Sequence, residues 1–195
     1  MKYIKNLALA AIAAAAFMAF LGAGTASATQ LCTDSGEVCT EYSGTITGTS
    51  TNATLATNLA NVECSDSATT IVANSSTGAP ILGEVTGLEF TGCRTEVGLV
   101  PCTVTVKNLP YGGSVEGKTL TVTDPVGAGA KVVCGTVLSC EFLTKSASLS
   151  ITNGSPTVAV AKEVQLSHET GAICPSTATW SATYSVTSPT GLTVL

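Results

Sequence analysis

Ionisable side chains are scarce in this chain of 195 residues. It has one histidine, eight Lys and Arg, and thirteen Asp and Glu, so charged residues make up 11% and the formal net charge is −5. Lys2 and Lys5 fall in a leader argued below, which leaves six cationic side chains spread singly from Arg94 to Lys162. Six scattered cations cannot build the basic stripe that nucleic acid or an anionic membrane surface requires, so neither is expected as a partner. Aromatic residues are 5%, with a single Trp, few for the stacked rings by which carbohydrate modules hold sugars.

The poverty in histidine bears on catalysis. Any base-assisted nucleophile would have to use His168, in Leu166-Ser-His-Glu-Thr-Gly171, which is read as an exposed turn. Ser167 and Glu169 adjoin it, but neighbouring strand residues point to opposite faces, so no relay forms from that run. The H-E-x-x-H zinc pattern fails, because Ala172 stands where the second His is needed. Glu84 and Glu89 lie at odd spacing on one candidate strand and are expected to face opposite ways, which is unsuited to paired-carboxylate glycoside cleavage. Glu163 and Glu169 read as solvated surface charges, and Gly127-Ala-Gly-Ala-Lys131 lacks the phosphate-loop spacing. No catalytic, cofactor-binding or metal-ligating residue is assigned, and the expectation is a protein that is not an enzyme and carries no cofactor.

What is present speaks first of compartment. Residues 1–28 read as a secretory signal: Lys2 and Lys5, an apolar run of 15 residues over 7–21, and the small-x-small site Ala26-Ser27-Ala28. The run is short for a membrane span, which takes about 20 residues, and no later segment competes with it. No membrane insertion is therefore expected after cleavage. All eight cysteines, at 32, 39, 64, 93, 102, 134, 140 and 174, follow that site, and an even number in an exported chain reads as four disulfides. No C-x-x-C clamp occurs, so zinc is not expected. Eight cysteines allow 105 pairings. Proximity favours Cys32–Cys39, Cys93–Cys102 and Cys134–Cys140, which leaves Cys64–Cys174 as a long bridge between the two ends of the body.

Thr and Ser supply 49 of the 167 residues after Ala28, and β-branched Thr suits a pleated surface better than a helix. Period-two alternation recurs along residues 41–195. In 177–187, Ala178, Trp180, Ala182, Tyr184 and Val186 share one face, so the core is expected to claim Trp180 and Tyr184. The pattern returns in 102–106, 119–123, 148–152 and 157–166, and more weakly in 43–49, 61–64, 69–73 and 82–90. Turn signals separate these runs at Pro110-Tyr-Gly-Gly113, Asp124-Pro125, Gly127-Ala-Gly129, Asn153-Gly-Ser-Pro156 and Gly171. The expectation is an all-β, antiparallel β-sandwich of about 8–10 strands, with a β-barrel as the alternative. It would occupy residues 41–195 as one domain, behind a polar lead-in at 29–40 without regular structure apart from the Cys32–Cys39 loop.

Several segments carry a resemblance: Val62-Glu-Cys64, Leu88-Glu-Phe-Thr-Gly-Cys93, Cys102-Thr-Val-Thr with Asn108-Leu-Pro110, the Cys134/Cys140 pair, and Cys174-Pro with Ala178-Thr-Trp180-Ser-Ala-Thr-Tyr184. Over about residues 62–195 the chain resembles a family of uncharacterised exported, Thr/Gly-rich, disulfide-containing β-proteins of high-GC Gram-positive bacteria. The resemblance implies export and an all-β fold and supplies no catalytic residue. The function expected is a secreted, non-catalytic structural or interaction protein, extracellular or associated with the cell wall, whose partner is a protein or an envelope polymer. An alternative is a polysaccharide or surface-polymer binding module using Tyr111, the aromatic expected near solvent, and the outward Thr ladders. A third is a protease inhibitor presenting the Cys93–Cys102 loop, in which Arg94 would suit a trypsin-like pocket.

Overall fold

The computed structural model describes residues 28–33, 38–136 and 138–195. The signal-like segment, except for Ala28, lies outside the described residues. Among those described, no helix forms. The strands are β1 (Thr29–Cys32), β2 (Gly44–Ser50), β3 (Ala53–Ala56), β4 (Val62–Ala73), β5 (Thr77–Gly78), β6 (Ile81–Thr95), β7 (Cys102–Lys107), β8 (Tyr111–Glu116), β9 (Thr119–Cys134), β10 (Leu138–Thr152), β11 (Val158–Thr170), β12 (Thr177–Ser188) and β13 (Thr193–Val194). The fold is all-β and antiparallel, a sandwich. A ten-stranded sheet runs β10-β11-β12-β2-β4-β6-β8-β9-β7, β3 bridges β12 and β4, and β9 also pairs with β10. A small sheet, β13-β1-β5, lies beside it.

The alternating pattern decides what the sheet buries. In β12, Ala178, Ala182 and Tyr184 are buried and Trp180 and Val186 partly so, the face that the period predicted. Ala178, Trp180, Ala182 and Tyr184 join Val62, Leu120, Val132, Phe142, Leu149 and Leu166 from other strands in one apolar core. Tyr184 is accommodated there because its hydroxyl meets Ser67 Oγ at 2.8 Å, while Ser67 Oγ donates to the Glu89 carbonyl at 2.8 Å. A second cluster, Leu31, Ala73, Ile81, Leu192 and Val194, packs under the small sheet.

Two departures from strict period come from bulges. Thr86 is left without a register partner where β4 shifts against β6, so Glu84 and Glu89, expected on opposite faces, are both exposed. Lys162 and Glu163 form a similar interruption in β11, which moves burial from Ala161 to Val164 and Leu166. The glycines expected to make a turn at 127–129 instead lie inside β9. A Cβ on Gly129 would sit 2.0 Å from the Phe142 carbonyl oxygen, so the need there is close strand approach. Asp124 Oδ1 accepts from the Val126 and Gly127 amides at 2.8 and 2.6 Å and shapes the irregularity within the strand. Pro110-Tyr-Gly-Gly113 likewise leads directly into β8.

The polar lead-in is also more ordered than expected. Residues 29–32 form β1, with Thr29, Leu31 and Cys32 buried, paired to β13 and β5. Gly117 donates its amide to Thr29 Oγ1 at 2.8 Å, which ties the segment to the large sheet.

The disulfides are Cys32–Cys39, Cys64–Cys93, Cys102–Cys134 and Cys140–Cys174. The expected Cys93–Cys102, Cys134–Cys140 and Cys64–Cys174 bridges are absent, for a reason of register. Cys93 and Cys102 are close in sequence, but β6 pairs with β4 and β7 with β9, so each cysteine faces its ladder partner: Cys64 opposite Cys93, Cys102 opposite Cys134. In the β9–β10 hairpin Cys134 stands across from Leu138 and Cys140 across from Val132, two residues out of step. Four disulfides are consistent with an oxidising environment.

Candidate functional site

Strand register brings four connections to one end of the sandwich. Leu55 pairs with Val62, Val62 with Thr95, Cys102 with Cys134, Cys134 with Leu138, and Ser167 with Thr177, so the β3–β4, β6–β7, β9–β10 and β11–β12 loops are neighbours. They are also tied together. The Glu96 amide donates to the Asn61 carbonyl at 2.9 Å, Asn61 Nδ2 donates to Glu96 Oε2 at 2.8 Å, and the Gly135 amide donates to the Pro101 carbonyl at 3.3 Å. The three disulfides other than Cys32–Cys39 all lie just beneath this end.

The chemistry of these loops is unusual. Of the nine large apolar side chains exposed among the described residues, five are here: Leu59, Val97, Leu99, Val100 and Ile173. Val97 is 84% and Ile173 78% exposed. Leu99 (φ 51°) and Ile173 (φ 64°) occupy the left-handed region, which a β-branched residue such as Ile adopts at a cost. Water exerts no pull that would place an aliphatic side chain there. The β6–β7 loop is steadied from within, as Thr95 Oγ1 donates to the Val97 carbonyl at 2.8 Å and accepts from the Val100 amide at 3.0 Å.

The second feature is internal. A cavity of about 150 Å³ lies between the layers, and a smaller one of about 80 Å³ shares with it the walls Ile46, Ile71, Leu120, Ala159 and Val186. The larger is walled mostly by aliphatic and aromatic side chains, with Thr47, Thr54, Thr69 and Thr144 among them, and by no charged one.

Tyr111, expected near solvent, is 3% exposed and is therefore not a surface handle. Its hydroxyl donates to the Lys107 carbonyl and accepts from the Gly129 amide at 3.2 Å, and burial raises its pKa above the usual phenol value. Tyrosine is the right residue at that point because its ring packs in a buried cluster with Val85 and Ala128 while its oxygen serves the backbone of β9. Sequence period pointed to a turn because Pro110 and the paired glycines carry the usual turn signal.

His168 is likewise no turn residue. It lies in β11 opposite Phe142, with ring centroids 6.0 Å apart, and its Nε2 is buried without a hydrogen-bond partner. Ser167 and Glu169 flank it on the exposed face, so the three are not brought together. Arg94 is exposed and forms an isolated bridge with Pro101, and the Cys93–Cys102 closure on which the inhibitor reading rested is replaced by separate bridges on either side of the loop. Among the described residues no group of three His, Cys, Asp or Glu side chains is placed to hold a metal ion. The ion pair between Lys107 Nζ and Glu141 Oε2, 3.7 Å long and solvent-accessible, carries little energy.

No family model, no curated protein and no solved structure matches the chain. The apolar loop end was missed by sequence reasoning because its residues come from four separate segments. The only local signal was Val97-Gly-Leu-Val100, an apolar stretch in what otherwise reads as a turn.

Proposed function

We propose that this is a secreted, non-catalytic interaction protein, extracellular or cell-wall associated, that holds a protein partner by its disulfide-bound loop end. The observation that carries this reading is the gathering of Leu59, Val97, Leu99, Val100 and Ile173 at one end, two of them in left-handed backbone. An exposed aliphatic cluster on a braced platform is the usual chemistry of a protein contact, where a few buried anchors supply most of the affinity. The net charge of −5 and Glu96 beside the cluster disfavour an anionic surface as the partner. The polysaccharide reading loses its stacking residue with the burial of Tyr111 and rests on the Thr faces alone.

The test places a photo-crosslinking residue at Leu99 and, as control, at Thr105 on the exposed face of β7, in cells exporting the protein. A discrete protein adduct from position 99 and none from 105 is the expected result. Equal labelling at both, or retention on insoluble cell-wall polymer that is unaffected by L99S and I173S, refutes the reading.

A further inference from the structure

The ladders of the large sheet leave one seam. From β6 they run through β4, β2 and β3, β12, β11, β10 and β9 to β7, and β8 pairs with both β6 and β9. Residues 86–93 of β6 and 102–107 of β7 lie alongside one another, yet among the described residues no ladder joins them. The seam is pinned at both ends, by the Arg94–Pro101 bridge and by the pairing of Val85 with Tyr111. On β6 the carbonyls of Gly87, Glu89 and Thr91 accept from Thr69, Ser67 and Ser65 of β4, so alternation turns the main-chain groups of Leu88 and Phe90 toward β7.

Behind the seam lies the larger cavity. Leu88 and Phe90 on one lip and Val104 on the other belong to its wall. A space of about 150 Å³ exceeds ordinary packing defects, since native interiors hold few voids larger than a water molecule. The wall suits water poorly, because its threonine hydroxyls are already engaged: Thr47 with Thr187, Thr54 with the Ser181 carbonyl, Thr69 with the Gly87 carbonyl and Thr144 with the Ser146 carbonyl. Apolar cavities of this size stay dry and admit molecules of about the size of benzene. Drug-sized ligands need about 300 Å³ or more, which excludes a sterol or a phospholipid. A charged ligand is excluded too, since the walls hold no counter-ion. Parting β6 from β7 breaks no ladder hydrogen bond, which makes the seam the least costly route between strands.

We propose that this cavity binds a small neutral hydrocarbon of about six or seven carbons, admitted between β6 and β7. The affinity comes from apolar surface of the ligand and of the wall removed from water together. A strand added by a partner is the weaker use of the same seam, because it needs about 4.8 Å to each lip and both ends are held by backbone pairing. The site is internal and does not depend on the loop-end reading, so either stands if the other falls.

The oxidised, exported protein, labelled with nitrogen-15, is titrated with benzene, toluene and benzoate at pH 7. The expected result is saturable amide shifts at Leu88, Val104 and Val132, all on the cavity wall, with the two hydrocarbons and none with benzoate. Ala147→Leu, or Ala159→Leu if the first does not fold, narrows the space and should weaken both hydrocarbons by about tenfold or more. Entry is read from the exchange rate of bound benzene, taken from the line shapes. Val104→Ala trims a lip of the seam, and Val164→Ala removes the same atoms from the wall on β11, which lies between β10 and β12. The first should speed exchange about fivefold or more and the second less than about twofold. No saturable shift, shifts confined to Leu59, Val97 and Leu99 at the loop end, or undiminished affinity in a folded filling variant overturns the site. Benzoate binding as tightly as benzene overturns the ligand class. Equal acceleration in the two valine variants, or none in Val104→Ala, overturns the entrance.

Discussion

Replacing each of the three disulfides at the loop end in turn gives the sharpest test of the architecture. The variants are C64A/C93A, C102A/C134A and C140A/C174A. Their sequence separations are 29, 32 and 34 residues, so each closes nearly the same length of chain. In the chain-entropy treatment each is worth about 3.7 kcal/mol at 25 °C, and the three differ by only about 0.1 kcal/mol. The pairing by proximity makes a different forecast. A bridge from Cys64 to Cys174 would be worth about 4.8 kcal/mol and the short ones about 2 to 3. Equal losses therefore distinguish the observed ladder-partner arrangement from the nested one. In a domain of this size about 3.7 kcal/mol lowers the melting temperature by about 7 to 15 °C. The assay is urea unfolding of the non-reduced proteins, with m expected to rise slightly as the less constrained unfolded chain exposes more surface. A loss below about 1 kcal/mol for any pair, or losses differing by more than about 2 kcal/mol, would refute the reasoning. So would a non-reduced peptide map that joins Cys93 to Cys102.

Three further outcomes can be stated. Tyr184 is pushed up to about 12 by burial, offset in part by its bond to Ser67. Its neutral form therefore stabilises the fold fully below about pH 10, and about 2 to 3 kcal/mol is lost as pH rises from 10 to 12. Urea midpoints at pH 9 and 11.5 should fall steeply in the parent and less steeply in Y184F, and parallel declines would contradict this. G129A should cost more than about 2 kcal/mol, because its Cβ would meet backbone at 2.0 Å, whereas G117A, with nothing within 4 Å, should cost about 1 kcal/mol through its φ of 54° alone. Denaturant midpoints of the two variants check the order. Leu31 is 3% exposed under the small sheet, so L31A should cost about 2 to 5 kcal/mol, and a silent substitution would show that β1 adds nothing to the fold.

The parts of the molecule legible from sequence are those set by neighbouring residues. Alternation in 177–187 identified β12 and the inward face of Trp180 and Tyr184, and the Cys32–Cys39 loop closes within a short segment. The misplaced residues share one difficulty. Tyr111 and His168 sit beside turn-forming residues, and only the strands that come to lie against them, β9 for the first and β10 for the second, convert those positions from surface to interior. Thr86 and Lys162-Glu163 look like ordinary strand positions, and a bulge is visible only once the partner strand is known.

The amino-acid order by itself determined that the chain forms pleated, antiparallel structure, because a two-residue period and Thr-rich faces act locally and need no knowledge of distant segments. Tertiary structure alone decided which cysteines meet, which loops share one end, and that residues from ten strands wall one apolar space. Those are properties of strand neighbours far apart in the chain, and ladder register, set by the packing of the whole core, is what selects them.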